Sequence, residues 1–393
     1  MILDSYYKKT VSLRCYTKKQ KLFFDIPQTG FSSHAIDQGT IALLAKIREN
    51  EKTKWKRILD LGCGYGPIAL YLASDGFTEY ADAVDRDVLA VSYTQRNAKK
   101  NNLEKISSFG SLGYENITYN KYDAIISNIP AKVGAKVHQQ MLYQAKDFLR
   151  DGGSVWIVIV EPLEDEFDKM LSLENINIRN KWSIRDHVIY NYSFISAPEY
   201  PQNPYERGDF KYIQNNKNLT IETYYGLPEF DSISWSTEML IDACKAISIE
   251  GSLKDIICWD SGQGHLPVIL SALYKSCDVI HLYARDMLSI KASTKNLRNN
   301  GYGGKIDAQH TLDFSSIEGD PNLLVGRLYE KEGLEVHVER LIAIMTQYPK
   351  MSVILVCKAN FGQRLIKKLL SRKIKLTLKK KQGLSLLYNL FGQ

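Results

Sequence analysis

Asp60-x-Gly62-x-Gly64-x-Gly66 leads into Pro67, and Asp85 follows 19 residues after the last of these glycines in a chain of 393. Glycines let a backbone turn sharply and approach a ligand closely. The dinucleotide fingerprint needs its third glycine three positions after the second. Pro67 stands there instead, which argues against a tight pyrophosphate turn. Glycine at every second position after an acid suits a cofactor without a pyrophosphate. A carboxylate at the end of the next strand, where Asp85 falls, can accept hydrogen bonds from ribose hydroxyls. Asp60, Gly62, Gly64, Gly66 and Asp85 are therefore the candidate cofactor-binding residues.

Such a loop needs a strand to enter it and a helix to leave it. Arg57–Leu61 reads as a short apolar strand and Pro67–Ala73 as a helix with proline in its first turn. Tyr80–Val84 reads as a strand, Ala90–Lys100 as a helix and Tyr122–Ser127 as a third strand. Apolar residues recur at helical spacing over Val137–Leu149. Asp151-Gly152-Gly153 then predicts a turn into the strand Ser154–Val160, whose continuous apolar run fits a buried parallel sheet. Strand and helix in alternation predict a doubly wound, mostly parallel α/β sheet. Val11–Tyr16 and Lys21–Ile26, separated by four polar residues, predict a β-hairpin ahead of it.

The chain repeats itself. Asp60, Gly62, Gly64, Pro67 and Leu70 match Asp260, Gly262, Gly264, Pro267 and Leu270. With small slips the register continues through Arg86-Asp87 and Arg285-Asp286, Asn97 and Asn296, Val137-His138 and Val336-His337, and Tyr190-Asn191 and Tyr388-Asn389. A period near 200 is too long for a solenoid unit. It implies two tandem domains of one fold, 1–197 and 209–393, joined by a proline-rich linker over 198–208.

Composition is that of an ordinary globular protein: 44% hydrophobic, 24% charged, formal net charge +7. No apolar run is long enough to span a bilayer, and the start of the chain lacks the pattern of a signal peptide. The six cysteines are scattered, which favours a reduced, cytoplasmic setting and argues against a structural metal site.

With these residues in place, the first copy resembles the class I S-adenosylmethionine-dependent methyltransferases. More narrowly it resembles the small-methyltransferase family, of the two-module type that modifies guanine N2 in ribosomal RNA. Three stretches carry the resemblance: Gly30-Phe31-Ser32 through Asp37-Gln38-Gly39-Thr40 to Leu44, the glycine loop, and Ser127-Asn128-Ile129-Pro130-Ala131-Lys132-Val133-Gly134-Ala135-Lys136. The resemblance implies S-adenosylmethionine as cofactor, with Thr40 added to its binding residues, and two tandem Rossmann-like domains. It implies Asn128, Ile129 and Pro130 as the acceptor site. There the Asn128 side-chain oxygen and the Ile129 carbonyl hold the two protons of a planar exocyclic amine. Methyl transfer is an in-line displacement, so placement of two reactants is most of the catalysis. Lys132 and Lys136 flank this loop as candidate phosphate contacts.

The sequence departs from the family at Ile129, where a proline is usual, and at Ala131, where many amine methyltransferases carry an aromatic. Phe31 or another nearby aromatic is the expected replacement. The adenine-binding acid that the family carries after its own third strand is missing, since Gly110-Ser111-Leu112-Gly113 occupies that region. His138, matched by His337, is expected to be structural.

In the second copy the sequence register puts Leu266 in place of Gly66, Ala284 in place of Asp85, and Gly326-Arg327-Leu328-Tyr329 in place of Ser127 to Pro130. That copy is expected to keep the fold without the reaction. Residues 364–381 hold nine Lys or Arg and no acid. Lys367, Lys368, Lys379, Lys380 and Lys381 are the candidate RNA contacts there. The resulting expectation is an RNA methyltransferase acting on guanine N2 of ribosomal RNA or a ribosomal subunit, a monomer whose two modules form an intramolecular pseudo-dimer. The alternatives are transfer to adenine N6 or a protein glutamine, or a silent RNA-binding scaffold.

Overall fold

The computed structural model describes residues 2–16, 20–30, 32, 34–214, 217–246, 253–381 and 383–390. The chain divides into two compact units, Tyr7–Tyr205 and Glu206–Gln393, with Met1–Tyr6 belonging to the second.

The first unit opens with the antiparallel hairpin β1 (Tyr7–Arg14) and β2 (Lys21–Pro27). Seven strands follow: β3 (Trp55–Leu61), β4 (Thr78–Asp85), β5 (Ile106–Gly110), β6 (Tyr122–Asn128), β7 (Leu149–Val160), β8 (Ile176–Ile184) and β9 (His187–Phe194). They form one sheet in the order β5-β4-β3-β6-β7-β9-β8. The first five strands in that order pair in parallel, while β9 and β8 close the sheet antiparallel. The order reverses between β3 and β6, and their carboxyl ends carry the glycine loop and Asn128. A doubly wound sheet binds ligands at this switch point, where adjacent crossovers leave on opposite faces and open a crevice.

The second unit repeats the plan. Its hairpin is β10 (Glu206–Gln214) and β11 (Lys217–Tyr224). Its sheet uses β12 (Asp255–Trp259), β13 (Val279–Ala284), β14 (Lys305–His310), β15 (Leu323–Arg327), β16 (Ser352–Lys358), β17 (Thr377–Lys381) and β18 (Leu384–Asn389). The order is β14-β13-β12-β15-β16-β18-β17. Both sheets are thus the expected doubly wound kind behind a hairpin.

Three local expectations change. Strand pairing resumes at Glu206, so the last three positions of the stretch read as linker begin the second hairpin. The Val137–Leu149 helix is two shorter ones, Ala135–Tyr143 and Ala145–Phe148. The glycine turn before Ser154 is instead a bulge inside β7. Tyr122 pairs with Leu149 and Ala124 with Ser154, and Gly152 takes φ +74° to absorb the extra residues.

Candidate active site

Gly62 and Cys63 at the end of β3 donate their amides to the Val84 carbonyl at 2.8 and 2.9 Å, which curls the chain over the end of β4. Gly62, Gly64 and Gly66 take φ of +81°, +56° and +91°. A Cβ on Gly62 or Gly64 would meet open space, so these two glycines form an uncovered cradle. A Cβ on Gly66 would sit 2.7 Å from Leu70 Cδ1 and 3.0 Å from Thr94 Cγ2. Gly66→Ala combines that overlap with a left-handed backbone. It is expected to cost the first unit about 2–3 kcal/mol, read as a lower urea midpoint with unchanged slope.

Asp85 ends β4. One carboxylate oxygen accepts the Gly64 amide at 3.0 Å and the other the Asp87 amide at 2.9 Å. Each oxygen keeps a lone pair for a ligand hydroxyl. Burial pushes the Asp85 carboxyl up to about 6, against the pull of these amides. Asp60 is buried behind the loop and does not line the cavity. Its Oδ2 accepts the Ala69 amide at 3.0 Å, while Oδ1 has no hydrogen-bond partner among the described residues. Burial, with repulsion from Asp85, raises the Asp60 carboxyl to about 7. Asp60 thus shapes the start of the helix and adds negative potential rather than a direct contact.

The cavity over this loop has a volume of about 390 Å³. Gly62, Gly64, Asp85, Asn128, Ile129, Pro130 and Thr40 all line it. The cofactor and acceptor residues expected from sequence therefore meet in one space, apart from Asp60 and Gly66, which stand behind it.

The acceptor loop is pinned at both ends. The Ile129 amide donates to the Val158 carbonyl at 3.0 Å, a bond that the usual proline could not make. The ladder thereby holds the extended backbone that a proline ring would otherwise impose. The Pro130 carbonyl accepts from His138 Nε2 at 3.0 Å, with His138 Nδ1 3.2 Å from Glu166. His337 Nε2 makes the same bond to Tyr329 at 2.9 Å in the second unit. Both histidines are loop ties.

The Asn128 amide nitrogen donates to Asp37 Oδ2 at 2.8 Å and to Thr40 Oγ1 at 3.0 Å. Asp37 is itself the cap of the Gln38–Asn50 helix, accepting the Thr40 amide at 2.9 Å. A carboxylate only accepts, so the nitrogen must face Asp37 and the oxygen Oδ1 is left for a ligand. Thr40 therefore supports Asn128 as well as lining the cavity. The role of Asp37 escaped the sequence reading, although an Asp three residues before a Thr at a helix start is a capping signal. Tyr65 and Tyr205 bring aromatic rings to the cavity wall, and His187, Ser111 and Gly113 complete other parts of it. Phe31, the expected aromatic replacement, lies outside the described residues. Lys132 and Lys136 are exposed beside the loop.

In the second unit the hydrogen-bond register corrects the alignment of the two glycine loops. Gly64 and Gly262 both take φ +56°, and Gly66 and Gly264 take +91° and +92° at the same helix cap. The spacing there is 198 rather than 200. Gly264, not Leu266, stands for Gly66, and Leu266 packs within the helix. Asp260 stands for Gly62 at φ +52°, and Cys258 for Asp60. Ala284 does replace Asp85, and Arg327 replaces Asn128. The Arg327 guanidinium is 10% exposed and pairs with Glu229 at 2.9 Å. It lies 3.3 Å from where a Cβ on Gly262 would be, so it fills the space that the first unit leaves open.

Lys367, Arg372, Lys373, Lys375 and Lys379 are exposed. Lys368 pairs with Glu335 at 2.9 Å and Arg364 with Glu330 at 2.9 Å. Phe361, Leu365 and Leu369 bury the opposite face of the Ala359–Ser371 helix. Lys379, Lys380 and Lys381 lie on β17, the edge strand, where lysines also discourage pairing with another sheet. The side chains of Lys380 and Lys381 lie outside the described ones.

Comparison with known proteins gives the family and the fold. The sequence pattern of the methyltransferase small domain family matches residues 23–182. Protein YbxB of Bacillus subtilis is 31% identical over 150 residues, 36% of this chain and 74% of that protein. Ribosomal RNA small subunit methyltransferase C of Buchnera aphidicola is 30% identical over 135 residues, 33% of this chain and 40% of that protein. The match thus spans well under half of the latter's length. Among solved structures, the T. thermophilus 16S rRNA N2 G1207 methyltransferase, in complex with AdoMet and guanosine, has a TM-score of 0.69 at 16% identity. It covers 99% of each chain, so both units share its fold. The open glycine cradle and the Asp85 carboxylate beside it fit S-adenosylmethionine, a sulfonium cation. The chain belongs to the methyltransferase small domain family, and its first unit is an S-adenosylmethionine-dependent methyltransferase module.

Proposed function

We propose that this protein methylates the exocyclic N2 amine of a guanine in ribosomal RNA. One observation carries the reading: Asp37 and Thr40 fix the Asn128 amide so that its oxygen is free beside Ile129, in the cavity that Asp85 and the glycine loop share. A planar amine presents two protons. The Asn128 oxygen and the Ile129 carbonyl accept them, which turns the nitrogen toward the methyl donor. Bound S-adenosylmethionine supplies an electrophilic methyl group. Asp85 holds its ribose hydroxyls, while Gly62 and Gly64 admit it without steric cost. Tyr65 and Tyr205 offer ring faces to a base extruded from its stack. The methylated nitrogen sheds its proton readily to solvent, so no strong base is needed. The ribosomal relatives, which modify rRNA by name, favour rRNA over other planar amines.

The test is transfer of labelled methyl from S-adenosylmethionine to rRNA from cells lacking this gene, followed by nucleoside mass spectrometry. N2-methylguanosine is the expected product, and a product on adenine or protein excludes the guanine assignment.

The second unit contributes grip in this reading. Changing Lys367, Arg372, Lys373 and Lys379 together to Ala is expected to lower RNA affinity by about 10- to 100-fold. The slope of log affinity against log salt should fall by about 3. Affinity for S-adenosylmethionine should not move. An unchanged salt slope would mean that the lysines serve the helix face and sheet edge alone.

A further inference from the structure

The second unit includes the first residues of the chain. Ile2–Ser5 forms one helical turn near the Leu334–Gln347 helix, and Tyr6 follows it into the interior, where its side chain is fully buried. The Tyr6 hydroxyl accepts a hydrogen bond from Arg340 Nη2 at 2.9 Å, and the Arg285 guanidinium stands 5.2 Å from the ring centroid. Arg340 is buried as well. Its Nε and Nη2 donate to the Leu312 carbonyl at 3.1 and 3.0 Å, and its Nη1 pairs with Glu332 at 3.1 Å. Glu332 also pairs with Arg285 at 3.1 Å. Burial pushes the Tyr6 hydroxyl up to about 12, so the ring enters as a neutral phenol and Glu332 carries the balancing charge.

The place of this cluster gives it meaning. Ser111 donates to the Asp85 carbonyl and Thr311 to the Ala284 carbonyl, both at 3.0 Å, which aligns the segments after β5 and β14. The His138–Pro130 and His337–Tyr329 bonds align the helices that follow the acceptor loops. In that register Arg285, Leu312 and Arg340 stand for Arg86, Leu112 and Met141. Arg86, Ser111, Gly113 and Met141 line the first unit's cavity together with Asp85, and Gly110 to Gly113 is the region in which the family's adenine contact is expected. Tyr6 thus contacts the second unit's counterparts of Arg86 and Met141, while Arg327, paired with Glu229, stands at the counterpart of Asn128.

We propose that the vestigial cofactor cleft of the second unit is a receptor for the chain's own residues 2–6, with the Tyr6 ring taking the place of the adenine. The unit has exchanged a diffusible ligand for a tethered one, which removes the loss of translational freedom that a free ligand incurs on binding. One S-adenosylmethionine then binds per chain, and the order of the cleft depends on residues 2–6.

The test compares wild type with Tyr6→Ala, Tyr6→Phe and Arg340→Met. In Tyr6→Ala the amides of 310–314 and 332–341 are expected to exchange at least about tenfold faster. The second unit's melting midpoint should fall by about 10 °C. Tyr6→Phe keeps the ring and should retain most of both. Arg340→Met, which restores the first unit's residue, should raise exchange in the same segments and serves if Tyr6→Ala does not fold. Millimolar p-cresol or adenine should recover part of the Tyr6→Ala midpoint and leave wild type unmoved, as small ligands fill engineered cavities. Cofactor affinity at Asp85 should be unchanged throughout. Unaltered exchange in these segments overturns the proposal, as does an equal rise across the whole chain or an absence of rescue by both probes. None of these readouts depends on which substrate the first unit methylates.

Discussion

Asn128→Ala is expected to lower the methyl-transfer rate by about 10²–10³-fold while cofactor affinity changes little. In the proposed function the residue meets the acceptor amine, and a misplacement near 1 Å of a reacting group costs about 10²-fold. Removing one preorganised hydrogen-bonding group from an active site costs a similar or larger factor. Asn128→Asp keeps an acceptor oxygen but places a second carboxylate where the amide donates to Asp37 at 2.8 Å. Two ionised carboxylates at that distance repel, and the pKa of one is raised, so this variant should be nearly as impaired at neutral pH and recover partially as pH is lowered and one of the pair takes up a proton. Asp37→Ala leaves Asn128 in place but frees its amide to turn. A loss of about 10- to 50-fold in rate, with an Asn128-dependent residue of activity, is the expected outcome. Single-turnover kinetics on rRNA with saturating S-adenosylmethionine separate these cases. Full activity in Asn128→Ala would remove the acceptor-site assignment.

Asp85→Ala should weaken S-adenosylmethionine binding by about 10- to 150-fold, the loss of one hydrogen bond to a charged group, worth about 1.5–3 kcal/mol. Its pH dependence gives a sharper test. Burial raises the Asp85 carboxyl to about 6 in the free protein, and in the proposed mode its ionised form accepts from the ribose hydroxyls. Affinity should therefore rise with pH and level off above about 6. Below that it should fall by up to about tenfold per pH unit, with protons released on binding. Calorimetry between pH 5 and 8 reads both effects, and Asp85→Asn should flatten the profile. Asp60, raised to about 7, adds a second, weaker dependence through its charge rather than by contact. Ala284→Asp should not create a second cofactor site, because Arg327 and Tyr6 already fill that cleft. A titration with two equivalents bound in that variant would contradict this.

Much of the site was legible in the chain because it is built from local features. The glycine loop, Asp85 and the loop at Asn128 each follow a strand directly, and a parallel sheet brings the carboxyl ends of adjacent strands to one edge. The reading of Asp60 as a direct contact did not survive, since the side chain of a residue inside β3 turns under the loop it precedes. The repeat was visible too, but matching letters placed the second glycine loop two residues off. Asp60 and Asp260 coincide by letter, whereas backbone hydrogen bonds equate Asp260 with Gly62.

The sequence by itself determined what local backbone chemistry and strand–helix periodicity can encode: two doubly wound modules, a loop shaped for a ligand without pyrophosphate, and which module keeps a carboxylate, Asp85, at the end of the strand that follows it. The tertiary structure alone decided which way the Asn128 amide faces, because its partner Asp37 is 91 residues away. It also decided that Ile129 is held by a ladder bond in place of a proline ring, and that Tyr6 is buried with Arg340, 334 residues along the chain. Contacts across such distances depend on how whole elements pack, and no periodicity or spacing within one element records them.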